Sequence, residues 1–155
     1  MQFAKLSVVA AMVLGLSGSV YAADTLADAF KNGKVSGELK AWYWDQTVDT
    51  AGASTNVNII NTAIELGYVT DTFYGLRMGV TFQSNATPFA EADAKEVYKY
   101  EEWASGSTLS EAYLGYTIGK TDVKMGRQYI NTPLIAGNYA RIFKESFQGV
   151  SIVNN

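Results

Sequence analysis

The chain has 155 residues, with no Cys, no His, two Pro and a formal net charge of −3. That composition excludes a disulfide scaffold, a His-based triad, a thiol nucleophile and a typical zinc site. The charge is too small to point to nucleic acid or to a polybasic contact with membranes.

The first residues, MQFAKLSVVAAMVLGLSGSVYAADT, have the parts of a secretory signal peptide. Lys5 supplies the positive start. Leu6 to Leu16 is apolar but shorter than the roughly 20 residues a spanning helix needs. Val20-Tyr21-Ala22 puts a small residue at the cut, so the expected divisions are a signal peptide over 1–22 and a short periplasmic segment over 23–33. Within that segment Leu26, Ala29 and Phe30 share one helical face, which predicts a single turn of helix.

Beyond Gly33 the period of the pattern changes to two. In 34–44, Val35, Leu39, Ala41 and Tyr43 alternate with Lys34, Ser36, Glu38, Lys40, Trp42 and Trp44. In 60–69 the oily set is Ile60, Ile64, Leu66 and Tyr68, against Asn61, Ala63, Glu65 and Gly67. In 73–82 it is Tyr74, Leu76, Met78, Val80 and Phe82, against Gly75, Arg77, Gly79 and Thr81. In 109–119, Ala112, Leu114, Tyr116 and Ile118 oppose Glu111, Tyr113, Gly115 and Thr117. Each run reads as a strand with one apolar face.

The run TDVKMGRQYI, residues 121 to 130, breaks the rule, because Arg127 falls on the apolar side. An Arg facing lipid near the bilayer midplane costs about 2–4 kcal/mol. A bulge at Gly126 that turns Arg127 to the polar face is one solution. A position at the rim is the other. A sixth strand begins near Ser146.

The links alternate in length. Those near 69–71 and 119–122 are tight, whereas 46–58, 84–108 and 131–145 are long. This predicts an all-β, antiparallel up-and-down transmembrane barrel of which 34–155 forms an incomplete portion of five to six strands. Period two alone cannot say which face is wet, since a soluble barrel is apolar inside and a membrane barrel apolar outside. Small residues and charges of both signs on the opposite face suit a watery interior. Tyr68, Tyr74 and Tyr116 beside the tight turns, with Tyr43 and Phe82 toward the long links, resemble two aromatic girdles. Runs of about 10 residues suit tilted strands that cross hydrocarbon.

GELKAWYWD, LSEAYLGYTIGKTDVKMGRQYINTPL and ARIFKESFQGVSIVNN resemble the N-terminal part of OprD-type outer-membrane porins. The resemblance runs from about Asp28 onward and is most specific over 109–134. It implies an outer-membrane barrel of roughly 18 strands whose third long loop narrows the lumen. It also implies outer-membrane lipid and small hydrophilic solutes as partners, with a preference for solutes bearing a carboxylate. Closed barrels of this kind start at about eight strands, so the expectation is that the remainder of the barrel is missing and that these residues alone form no working pore.

No catalytic residues, cofactor or metal are expected. GYTIGKT, residues 115 to 121, has one residue too few between its glycines for a phosphate-binding loop and opens no helix. The acid-rich stretch 91–102 reads as a solvated loop. By parity Lys34, Glu38, Lys40, Glu65, Arg77, Glu111 and Lys124 line the pore, joined by Arg127 if the bulge exists. Arg141, Lys144 and Glu145 fall in the loop that the resemblance makes the constriction. Arg127, Arg141 and Lys144 are the expected basis of an anionic preference. Two other readings stay open: a secreted soluble β-barrel that binds a small apolar ligand, and a surface adhesive or structural protein.

Overall fold

The computed structural model describes residues 22–50, 52–88, 90, 94, 106–137 and 142–154. Six strands form one antiparallel sheet, each paired with the next in chain order. They are β1 (Lys34–Thr50), β2 (Ala53–Val69), β3 (Leu76–Ala86), β4 (Gly106–Ile118), β5 (Thr121–Gln128) and β6 (Phe147–Asn154). No ladder joins β6 to β1, so among the described residues the sheet is open. The all-β, up-and-down arrangement expected from alternation is what forms, consistent with part of a barrel. The signal-peptide reading and the stretch 91–102 fall outside the described residues, apart from Ala22 and Ala94.

The expected turn of helix is α1 (Leu26–Lys31). Thr25 caps it, its hydroxyl accepting from the Asp28 backbone N–H at 3.1 Å and donating to the Asp28 carboxylate at 2.7 Å. Helix and sheet meet where the Asp71 N–H donates to the Ala29 carbonyl at 2.9 Å, beside the β2–β3 connection.

The two faces of the sheet are opposites. Leu39 is 59% exposed and Leu114 56%, with Leu66, Leu76, Met125 and Val150 comparably bare. On the other face Gln83 is 2% exposed and Gln128 1%. Bare aliphatic residues and covered amides invert the usual arrangement of a water-soluble fold.

The apolar face also has a measurable height. From Val35 to Tyr43 the chain extends roughly 26 Å along the strand at about 3.3 Å per residue, which at a barrel tilt of about 35–45° covers roughly 19–22 Å of the ~25 Å apolar band. Above Tyr43 the same face turns polar. The Tyr43 hydroxyl donates to Asp45 at 3.2 Å, and Asn56 Nδ2 donates to Asp45 at 2.8 Å and to Thr47 at 3.4 Å.

The structure corrects several boundaries. The long link expected over 46–58 is instead strand, since β1 and β2 each run for 17 residues and pair from Lys34–Val69 up to Thr50–Ala53. Gly52, at φ +96°, sits at the reversal. The Gly, Ser and Asn content suggested a loop, but Trp44, Val57 and Ile59 share the polar-side surface there and pack with Ala90 and Ala94. Strand β3 begins at Leu76 and not at Phe73. Tyr74 and Gly75 have φ of 51° and 82°, and Phe73 exchanges backbone hydrogen bonds with Leu76 at 2.8 and 2.9 Å. That is a tight two-residue reversal, so Tyr74 and Gly75 belong to a turn.

The bulge is also elsewhere. The β4–β5 ladder passes Gly126 without a register shift, pairing Ala112 with Arg127, Tyr113 with Gly126 and Leu114 with Met125. The shift lies between β3 and β4, where Thr81 faces Glu111 but Phe82 faces Leu109. Ser110 is the extra residue. It is 1% exposed, and its hydroxyl donates to the Thr81 carbonyl at 3.0 Å. The extra residue puts Ser110 and Glu111 on the same face and restores Leu109 to the apolar side.

Candidate functional site: the polar face and the segment folded onto it

The chain between β5 and β6 returns across the polar face to reach β1, β2 and β3. Ile142, 3% exposed, leads into the contact, and its carbonyl accepts from Lys40 Nζ at 3.2 Å. The Lys144 N–H donates to Gln83 Oε1 at 3.0 Å, and Gln83 Nε2 donates back to the Lys144 carbonyl at 3.2 Å. Lys144 Nζ then donates to Glu38 at 2.7 Å and Glu65 at 3.0 Å. At the near end of the segment the Tyr129 N–H donates to Glu111 at 3.1 Å, and the Tyr129 hydroxyl donates to Ser110 at 2.9 Å.

Register explains the position of Lys144. Glu38 and Glu65 are direct cross-strand partners. Like charges placed opposite each other destabilise a sheet, and a cation between them reverses the sign of the interaction. Burial works against the Lys144 charge, but the hydrogen bonds to Glu38 and Glu65 outweigh it and hold the ammonium above its ordinary pKa. Lys40 lies 3.8 Å from Glu38, so the cluster holds two acids and two bases.

A second ion pair sits near the tight turns. Arg77 Nη2 donates to Asp122 at 2.7 Å and Nη1 to Thr117 Oγ1 at 2.8 Å, and the Thr117 hydroxyl donates to the other Asp122 oxygen at 2.8 Å. The guanidinium lies flat because Gly115, its cross-strand neighbour, has no side chain. A Cβ there would stand 2.9 Å from Arg77 Cζ. Tyr113 lies in the same way across Gly79, with Lys124 Nζ 4.8 Å from its ring centroid.

Of the residues predicted from parity, Lys34, Glu38, Lys40, Glu65, Arg77, Glu111 and Lys124 share the polar face. Glu38, Lys40 and Glu65 meet Lys144 there, and Glu111 holds Tyr129. Arg127 does not join them. It keeps the parity of Ala112 and Met125, is exposed, and donates through Nη1 to the Leu109 carbonyl at 2.8 Å. That is the rim position, at the end of β5 away from the tight turn. Glu145 is exposed next to Lys144, and Arg141 lies outside the described residues.

Gln83 and Asp122 were missed, although simple parity finds both. Gln83 follows Thr81 by two once β3 is carried past Phe82, and Asp122 precedes Lys124 by two. The roles of Ile142, Ser110 and Tyr129 had no such signal.

A family model described as Campylobacter major outer membrane protein matches residues 1–155. No curated protein and no solved structure matches the chain. The match supports an outer-membrane porin family and does not single out the OprD type.

Proposed function

The chain belongs to the Campylobacter major outer membrane protein family, and from that premise we propose that its polar face lines a water-filled pore through which small hydrophilic solutes diffuse passively across the outer membrane. The family places the protein in the outer membrane, and its strands are transmembrane β-strands. The carrying observation is the inverted sheet: aliphatic side chains stand bare on one face, while the other holds ion pairs and a folded-in chain segment. Lipid outside and water within make both faces favourable, and the family match supports that orientation over an apolar interior.

The proposal includes further strands pairing onto β1 and β6, because lipid tolerates no unsatisfied edge. It also includes export with cleavage after Ala22. Residues 23–33 then lie on the periplasmic side with the short turns, a placement supported by the Asp71–Ala29 hydrogen bond.

The preference for anionic solutes is the finer part of the reading, and it rests on the sequence. Lys144 shares its charge with two carboxylates, Arg127 stands on the lipid side at the rim, and Arg141 lies outside the described residues. In planar bilayers across a salt gradient, the barrel completed by those further strands is expected to give stepwise ohmic currents. Absence of steps would end the pore reading, whereas steps with a cation-selective reversal potential would end only the anionic preference.

The flat-lying Tyr113 gives a further prediction. In Gly79→Val the new side chain collides with the phenol ring, which must lift away from the wall into the aqueous path. Single-channel conductance is expected to fall while the reversal potential stays as in the parent, because no charge changes.

A further inference from the structure

We propose that Lys144, Glu38 and Glu65 are positioning residues: they form an electrostatic clasp that fixes the folded-in segment over the pore wall and so sets the width of the aperture. This rests on the porin reading and deepens it, since the sequence alone marked these residues as charges that act on the passing solute.

Four observations carry the assignment. First, Glu38 and Glu65 face each other across the β1–β2 ladder, a pairing that is unfavourable until a cation bridges it. Second, that cation comes from a residue 79 positions beyond Glu65 and 106 beyond Glu38, and its Nζ reaches both carboxylates at 2.7 and 3.0 Å. Third, the backbone of the same residue is gripped by the Gln83 amide through a reciprocal pair of hydrogen bonds. Lys144 is therefore held at both its main chain and its side-chain tip, by three adjacent strands. Fourth, the neighbouring contact of Lys40 Nζ with the Ile142 carbonyl orders the approach to the clasp.

An ammonium shared by two carboxylates attracts a passing anion weakly, because the acids already satisfy its charge. What it contributes is location. Hydrogen bonds between charged groups are stronger than neutral ones, and these two are partly screened from water by the segment they hold. Without the ammonium, Lys40 stays 3.8 Å from Glu38, but the segment loses its side-chain hold on both carboxylates and gains by moving off the wall. The aperture then widens.

The test is a charge swap in the completed barrel, measured by single-channel conductance and by the size of polyethylene glycol that enters and blocks the pore. In Lys144→Glu three carboxylates converge, and conductance is expected to rise about twofold, with larger polymers admitted. Adding Glu38→Lys returns the cluster to its original net charge and places a cation between two acids again. The double variant is expected to restore the parental polymer cut-off, a coupling that independent sites would not show.

If Lys144→Glu does not assemble, Lys144→Met removes the charge without reversing it and is expected to admit larger polymers in the same direction. A parental cut-off in whichever single variant assembles, or a double variant that stays as wide as Lys144→Glu, overturns the clasp while leaving the porin reading intact. Absence of channels in the parent protein would instead remove the reading beneath it.

Discussion

Leu114→Arg is expected to destabilise the folded protein in lipid or detergent by about 2–4 kcal/mol, the cost of a cation on the lipid face near the bilayer midplane. Leu114 is more than half exposed and pairs with Met78 on one side and Met125 on the other, so the new charge is surrounded by apolar side chains. Its neighbours offer no carboxylate. The same substitution on the opposite face meets water, so Ser36→Arg, at an exposed polar-face position, is expected to stay within about 1 kcal/mol of the parent. Urea titration of the protein folded into detergent or vesicles reads both. Equal tolerance at the two positions would show that the bare aliphatic face does not contact hydrocarbon, and the pore would go with it.

Gly126→Val is expected to disrupt the sheet from the other direction, through the backbone. Gly126 has φ +132°, a conformation that L side chains rarely adopt. A Cβ there would also press on the Ala112 carbonyl oxygen and stand 2.9 Å from the Tyr113 Cα. Strain of this kind costs about 1–3 kcal/mol, and the collision with rigid strand backbone adds to it. The result to look for is loss of the heat-modifiable folded band on electrophoresis. Gly149, directly opposite on β6, has nothing within 4 Å of a would-be Cβ. Gly149→Val is therefore expected to fold, which separates a local clash from a general intolerance of branched residues in these strands.

Gly126 also shows where reading the chain reached its limit. A misplaced Arg127 signalled an irregularity, and a neighbouring glycine was the natural place for it. The structure uses the glycine for unusual φ, keeps the ladder in register, and leaves Arg127 at the rim, where its guanidinium reaches the Leu109 carbonyl. The extra residue is Ser110, whose buried hydroxyl satisfies the backbone the bulge disturbs. Serine in an otherwise regular run carries no mark of this, because the cause is a hydrogen bond to a strand nearly thirty residues earlier.

The tip of the β1–β2 hairpin failed for a related reason. Its composition is that of a loop, yet Trp44, Val57 and Ile59 find cover beneath residues of a later connection. Local propensity is a weak guide once distant chain supplies the packing.

Period two along each run was enough to establish strands, their number, their antiparallel order and which side chains share a face, because a pleat alternates whatever lies around it. Glu38, Lys40, Glu65, Arg77, Glu111 and Lys124 fall on one face by that rule, as they do in the ladders. What each of them touches was decided only by tertiary structure. Lys144 met Glu38 and Glu65, Arg77 met Asp122, and Glu111 took the Tyr129 amide because strand pairing and the segment folded onto the sheet bring distant residues together. Alternation is a property of neighbouring residues, whereas a charge finds its partner through folding geometry that no local spacing encodes.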